Sequence, residues 1–562
     1  MKKRIELSNN IYNLNAIKKS IEYFKQFVTI NIIDDSYTLE FDFENSLEYD
    51  SNSIVDEFNN YLVFKSKEDL INTSKGYEVN DKTDNVIKEI ESDFRINFYR
   101  YTKIDDKYLV ITDKGNHVFL DEKEFLQLKN IKIDSLELKK KLIDNNIILN
   151  KFNIKSEINS LFKKKSFLFS GVSLHIIVLT LRCNMNCIYC QVNAENKNEK
   201  FLDLNIENAK KIVDIIFQSP SNMLSIEFQG GEPLLNFDVL KYIVEYANNK
   251  NKIHNKKLIF SIVSNLLLLD EEKFKFLVKN QVSICTSLDG NKMIHNANRG
   301  FFDQTVKKIK YIQQEYKKLN YTSKLNCITV VTRTTLPYYK EIIDEFVDLG
   351  FSTIFLKQLT CLGKAEKNNE KINYSADEFL NFWEKSLNYA IELSLKGVDI
   401  SLLKANIILK KIFYEYDSGF VDMQSPCGAA TSQLVYDYNG KIYTCDEARM
   451  LNDDMFCLGD LNKEDDISYK KITTCNKSCS VRAFSITDTM FCDKCVYKPY
   501  CGICPVLNYS MYKNLVVNIP ATDWCKINKG IFNIIFKKLK DEKSRKVLVE
   551  WFNKDTKIPT IK

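Results

Sequence analysis

The chain has 562 residues, 44% of them apolar and 27% charged, with a net charge of +6. That length exceeds one ordinary core and predicts two to four domains. The composition excludes a disordered or fibrous chain, and so mild a charge without a basic stripe argues for no nucleic-acid partner. The opening MKKRIELSNN is not followed by an apolar run, so no signal peptide is expected. The most apolar stretch, FLFSGVSLHIIVLTL, is too short and too interrupted to span a bilayer. A cytoplasmic protein without a membrane partner is therefore expected. Thiols stay reduced in that compartment, so the sixteen cysteines point to metal or cluster ligation.

In chain order, residues 1–90 predict a small α+β domain. NLNAIKKSIEYFKQF and NSIVDEFNNYLVF have helical periodicity, and VTINIID and YTLEFDF alternate as strands. SKGYEVNDKTDN then reads as a linker. Residues 94–165 predict strands joined by turns, with Asp113–Asn116 supplying one turn. Two helices should follow, opened by capping boxes at Asp121 with Glu124 and Asp134 with Glu137. A hairpin followed by helices is the pattern of a winged-helix-like element.

Residues 170–365 alternate strand and helix. Strands are expected at SLHIIVLT, LSIEF, LIFSIVS, VSICTS, NCITVVT and STIFLKQ. The clearest helix, IENAKKIVDIIF, carries Ile206, Ala209, Val213 and Ile216 on one face. Alternating β and α units imply a parallel sheet with right-handed crossovers, so the fold class is α/β, a partial (β/α)6 TIM-type barrel. Its chemistry belongs at the C-terminal strand ends. Residues 366–424 predict a helical bridge, residues 425–530 an irregular cysteine-rich domain, and residues 531–562 a closing amphipathic helix.

The loop LTLRCNMNCIYCQ leaves the first barrel strand with Cys183, Cys187 and Cys190 spaced C-x3-C-x2-C. A structural zinc or an electron-transfer [4Fe–4S] cluster wants four ligands. Three thiolates on one loop can hold three irons of a cubane and leave the fourth for a small molecule; a zinc site completed elsewhere is the plainer alternative. This spacing resembles the radical S-adenosylmethionine enzymes. The resemblance implies that S-adenosylmethionine chelates the open iron, and that reductive cleavage gives a 5′-deoxyadenosyl radical which abstracts hydrogen from the substrate. It places Tyr189 near the adenine. IEFQGGEPLL resembles the family's GGE motif, so Gly230, Gly231 and Glu232 are expected to hold the amino group of S-adenosylmethionine. Ser264 and Asn265 end the third strand, and TSLDG, with Ser287 and Asp289, ends the fourth, where family members contact cofactor or substrate. SLDG followed by His295 and Arg299 looks like the peptide-modifying subgroup. Asp289 is carried as a catalytic candidate, and Ser287 and Arg299 as cofactor-binding candidates; a plain turn and a surface arginine are the alternatives.

Cys427, Gly440 and Cys445 precede Cys492, Cys495, Cys501, Cys504 and Cys525. This order resembles the SPASM extension of radical enzymes, although its four-cysteine run ends here in C-x2-C, one residue short. The resemblance implies a distal auxiliary [4Fe–4S] cluster on Cys492, Cys495, Cys501 and Cys525, and a proximal one on Cys427, Cys445 and Cys504, three clusters in all. The proximal cluster's fourth ligand stays open between Cys361, Cys457, Cys475, Cys479 and a substrate; zinc knuckles are the alternative for the whole segment. Asp446 stands where resembling sulfatase maturases place a base, or is a surface acid. Cys285 and Cys327 read as structural thiols in strands. Four histidines without metal-site spacing, and no phosphate loop, complete the inventory.

LHIIVLTLRCNMNCIYCQV, FQGGEPLLNFD and SLDGNKMIHNANR are similar to the radical SAM maturase, or B protein, of His-Xaa-Ser systems. Residues 1–75 resemble the D protein of that system. The implied activity is post-translational modification of a ribosomally made precursor peptide, with a flavodoxin- or ferredoxin-type electron donor. The winged-helix-like element would hold a leader segment by β-addition. The alternatives are an anaerobic sulfatase-maturating enzyme and a non-catalytic iron–sulfur or zinc scaffold.

Overall fold

The computed structural model describes residues 94–556 apart from 193, 197, 198 and 490, and earlier residues 2–6, 17, 18, 20–22, 29–33 and 38–42. By internal contacts the chain divides into two compact units, Met1–Phe94 with Asn150–Lys155, and Arg95–Leu149 with Ser156–Lys562. In the first, β1 (Lys2–Glu6), β2 (Thr29–Ile32) and β3 (Thr38–Asp42) form an antiparallel sheet with β3 in the centre. Ile30, Leu39 and Phe41 bury one side of it. The helix expected at NSIVDEFNNYLVF, the linker and most of the D-protein resemblance lie outside the described residues.

The second unit opens with β4 (Arg95–Ile96) and a meander of β5 (Tyr99–Ile104), β6 (Lys107–Thr112) and β7 (His117–Leu120). The β6–β7 turn closes through Thr112 N–H donating to Asn116 O at 2.9 Å, within the expected turn region. Helix Glu122–Lys129 carries the expected capping box of Asp121 with Glu124. The next helix, Leu136–Asp144, departs from expectation: Ser135 caps it by accepting from Leu138 N–H, in place of Asp134 with Glu137. After β8 (Ile148–Leu149), which pairs with β4, a third helix, Ile154–Lys165, follows.

The main sheet contains all six expected barrel strands: β9 (Leu174–Thr180), then β12 (Met223–Gly230), β13 (Lys257–Val263), β14 (Val282–Ser287), β15 (Asn326–Val330) and β16 (Thr353–Lys357). Between the first two lies a short parallel pair, β10 (Arg182–Cys183) with β11 (Glu195–Asn196). β9 and β12 to β16 pair in parallel in chain order. Along β12, Leu224, Ile226 and Phe228 are buried, while Ser225, Glu227 and Gln229 are half-buried. The buried set packs in the main core with Ile212, Val213 and Ile216 of helix Ile206–Phe217. Ile206 of that helix is exposed, against expectation.

Two features extend the six-stranded expectation. A seventh strand, β17 (Ser401–Leu402), pairs in parallel with β16. The cysteine-rich segment is also more regular than expected: β18 (Gln433–Tyr436), β19 (Lys441–Tyr443) and β20 (Cys457–Asp460) join the same sheet. β18 runs parallel to β9, and β19 and β20 follow antiparallel, giving ten strands in order β17-β16-β15-β14-β13-β12-β9-β18-β19-β20. The C-terminal segment is two helices, Asp523–Lys540 and Glu542–Thr556. Asp541 separates them and accepts from Ser544 N–H at 2.9 Å, capping the second. No helix of the described residues is long and apolar enough to cross a membrane.

Candidate active site

β9 ends at Thr180, and the next residues are held on several sides before the first cysteine is reached. Leu181 N–H donates to Leu202 O at 3.1 Å, and the buried Arg182 grips Asp203 through Nε (2.7 Å) and Nη2 (2.5 Å). The loop beyond is clasped by the segment after β16. Lys364 N–H donates to Cys190 O (2.8 Å), and Asn368 Nδ2 donates to Ile188 O (2.6 Å). Gly363 precedes that clasp with φ +61°, and a Cβ there would stand 2.4 Å from Gln191 O.

Gly230 and Gly231 hold the other side of the loop. Gly231 N–H donates to Thr180 O, and Glu232 N–H donates to Arg182 O, both at 2.8 Å. A Cβ on Gly230 would meet Thr180 O at 2.2 Å, and one on Gly231 would meet Arg182 O at 2.3 Å. Only glycine permits this approach of backbone to backbone.

Cys183, Cys187 and Cys190 line one cavity of about 200 Å³, together with Tyr189, Gly230 and Gly231. Ser264, Asn265, Ser287 and Arg299 line it too, so the structure brings together ten of the residues singled out from the sequence. Reading by motif missed Met185, Gln191, Gln229 and Met450 in the same walls. Met450 belongs to the cysteine-rich segment, which therefore closes part of the cavity.

Two expected contacts differ. Glu232 is fully buried behind the wall. Its carboxylate accepts from Ser264 Oγ and Asn265 N–H at 2.8 Å each, and from Leu234 N–H at 3.0 Å. Burial pushes its pKa up to about 6. It anchors the end of β13 instead of presenting an acceptor to the cavity. Asp289 is likewise fully buried. Its Oδ2 accepts from Tyr189 OH and from Arg299 Nε (3.0 Å), and its Oδ1 from Val330 N–H (3.2 Å). Arg299 lies over the Tyr189 ring, 4.9 Å from its centroid. This corrects the catalytic expectation: the Asp289 carboxylate is enclosed and fixes Tyr189 and Arg299, which do reach the cavity.

In the cysteine-rich segment, β18 and β19 turn at Gly440 (φ +84°), and Cys427 and Cys445 flank the hairpin. Cys427, Cys445 and Cys504 line a second cavity, of about 450 Å³. The three thiols act electrostatically on one another. Cys492, Cys495, Cys501 and Cys525 form the other set: the Cys501 thiol is pushed up to about 12, first by burial and then by the remaining three. Gly502 lets the chain cross between the sets, since a Cβ there would stand 2.7 Å from Asp422 O.

Asp446 opens helix Asp446–Leu451 and accepts from Arg449 Nη2 at 2.7 Å. It does not line the three-thiol cavity but acts electrostatically on Glu227 of β12, on the inner face of the barrel. Glu447 and Asp422, both missed from the sequence, line the second cavity with Lys357 and Lys404. The CDEAR run carried a signal for Glu447, two residues beyond a cysteine. Cys327 is buried as expected, whereas Cys285 is half-buried beside Glu227.

Residues 177–323 match the Radical SAM superfamily. The chain is an α/β enzyme whose barrel segment carries that match. It is 27% identical over 343 residues to a cysteine-type anaerobic sulfatase-maturating enzyme of Clostridium perfringens, covering 59% of this chain and 87% of that protein. It is 23% identical over 285 residues to the radical SAM cyclopropyl synthase TigE of Paramaledivibacter caminithermalis, covering 48% and 56%. Among solved structures, native anSMEcpe with bound AdoMet and the Cp18Cys peptide aligns at 24% identity and TM-score 0.56, over 66% of this chain and 99% of that one.

The family implies S-adenosylmethionine and a [4Fe–4S] cluster, and the first cavity suits both. It offers three thiols in one cavity with Gly230, Gly231 and the polar side chains of Ser264, Asn265 and Ser287. Among the described residues no three His, Cys, Asp or Glu side chains converge as on a single ion. A cubane does not ask for that, because each thiolate binds a different iron. Burial pushes the Cys183 thiol up to about 12 and raises that of Cys187. Iron must displace those protons, so loading of this loop falls with falling pH.

Proposed function

We propose that this enzyme modifies a ribosomally made precursor peptide, using the three-thiol loop for catalysis and two auxiliary [4Fe–4S] clusters in the cysteine-rich segment. When bound and reduced, the first cluster supplies the electron that cleaves S-adenosylmethionine, and the resulting radical abstracts hydrogen from substrate. Cys183, Cys187 and Cys190 hold that cluster. Gly230 and Gly231 set the loop and admit the cofactor, Ser264, Asn265 and Ser287 form its rim, and Tyr189 and Arg299, braced by Asp289, form its wall. Asp446 takes the substrate proton. The single observation that carries the reading is that Cys183, Cys187 and Cys190 share one cavity with the glycines of the GGE run and with Met450 of the cysteine-rich segment.

We further infer a His-Xaa-Ser type peptide as substrate, supported by the wording of LRCNMNCIYCQV, FQGGEPLLNFD and SLDGNKMIHNANR. The domain division, with a D-protein-like residue 1–90 part and a leader-binding element at 94–165, belongs to the same proposal, as do a cytoplasmic location and a flavodoxin- or ferredoxin-type donor. A second reading, formylglycine formation on a sulfatase, is favoured by Asp446 next to Cys445 and by the Clostridium relative. Co-expression with a His-Xaa-Ser precursor and, separately, with a sulfatase-derived cysteine peptide decides between them by mass spectrometry. The first reading predicts a mass change on the precursor alone; conversion of the sulfatase peptide alone overturns it.

A further inference from the structure

We infer that the Glu447 carboxylate is the fourth ligand of the proximal auxiliary cluster, completing a site with Cys427, Cys445 and Cys504. This rests on the auxiliary-cluster reading above. Three thiolates leave one iron of a cubane without a protein ligand, and four cysteines elsewhere in the chain were open to fill it. Three of them do not reach the cavity that the trio lines. Cys457 donates to Gly459 O at 3.5 Å, Cys475 to Ile472 O at 3.5 Å, and the exposed Cys479 to Thr474 O at 3.7 Å. Cys361 does line that cavity, but its thiol donates to Asn369 Oδ1 at 3.2 Å.

Glu447 lines the same cavity as the three thiols. It sits in the first turn of the helix that Cys445 caps, so the backbone fixes it two residues from a ligand. Its carboxylate lies within electrostatic reach of all three thiols. Among the described residues no other residue gives it a hydrogen bond or an ion pair within 4 Å, as the nearest opposite charge, Lys357, acts only at longer range. A partly buried carboxylate held only by its own backbone N–H is under-satisfied, and an iron beside it removes that cost. Asp422 is the rival in the same cavity, but it acts on Cys427 and Cys504 and not on Cys445, and it has both Lys357 and Lys404 as counter-charges.

The test uses the full chain, reconstituted anaerobically with Cys183, Cys187 and Cys190 replaced by Ala, so that only auxiliary clusters contribute. Iron analysis comes first: about eight irons per chain support the auxiliary reading, and iron near zero overturns it and this inference with it. Electron paramagnetic resonance of the reduced protein is then followed during cyanide addition. We expect no change in this background, a shifted spectrum in Glu447→Ala, and a lower reduction potential without cyanide response in Glu447→Cys, where thiolate replaces carboxylate. With iron present, a cyanide response equal to that of Glu447→Ala before any change at Glu447, or a Glu447→Cys protein of unchanged spectrum and potential, overturns the inference alone.

Discussion

Gly231 shows how much the site depends on single residues. A methyl group there collides with the Arg182 carbonyl at 2.3 Å, and neither backbone can retreat without moving the loop that begins at Cys183. Gly231→Ala should therefore cost about 1–3 kcal/mol of stability and empty the three-thiol site while the other clusters load; iron counts with thermal melts check this. The two aspartates separate in the same way. Asp289→Asn leaves Arg299 buried beside a neutral group, and breaking a buried pair costs about 3–5 kcal/mol, so its melting temperature should fall sharply. Asp446→Asn keeps an acceptor for Arg449 and should hold its fold and its 5′-deoxyadenosine formation while losing modified peptide. Loss of 5′-deoxyadenosine together with peptide would remove Asp446 from the role of base. The cysteines and glycines were legible in the sequence because their chemistry is specific to residue type. The enclosure of Asp289 and Glu232 was not, because an acid at a strand end reads the same whether it faces a cavity or backs its wall.

At the scale of elements, the six parallel strands were legible from alternating strand and helix patterns, since each βα unit is set by local periodicity. β18 to β20 were missed for the opposite reason. β18 finds its partner in β9, pairing Gln433 with Leu174 across most of the barrel's length in sequence, and no local pattern announces so distant a neighbour. One signal was present: Asn439-Gly440 between two apolar runs is hairpin chemistry. Tyr500 tests another long-range tie. Its buried hydroxyl donates to Gly115 O at 2.7 Å and joins the β6–β7 turn to the four-cysteine run. Tyr500→Phe should cost about 1 kcal/mol through the carbonyl left unpaired, read as a small fall in melting temperature. An unchanged melt would mean that water replaces the phenol.

For the whole molecule, the buried His175 and His295 and the half-buried His117 set a pH dependence. Burial lowers His117 to about 4, His175 to about 3 and His295 to about 4, from 6.5. Each stays neutral in the fold, so below pH 6.5 the unfolded chain takes up protons that the folded chain refuses. Stability is therefore full above that pH and is lost as pH falls from there toward 4 to 3, by about 1.4 kcal/mol per unit for each group. His175 contacts Tyr436 OH at 3.2 Å, across the β9–β18 junction. His175→Gln should flatten the fall in melting temperature between about pH 7 and about pH 5; an unchanged slope would assign the effect to other groups.

The central claim is that Cys183, Cys187 and Cys190 hold a cluster with one iron left for S-adenosylmethionine. The most direct measurement is 5′-deoxyadenosine formed by the anaerobically reconstituted, chemically reduced chain, compared with its Cys187→Ala variant. The account predicts 5′-deoxyadenosine from the first and none from the second, with the iron of the cysteine-rich segment retained. Equal amounts from both, or none from the intact loop, would contradict it.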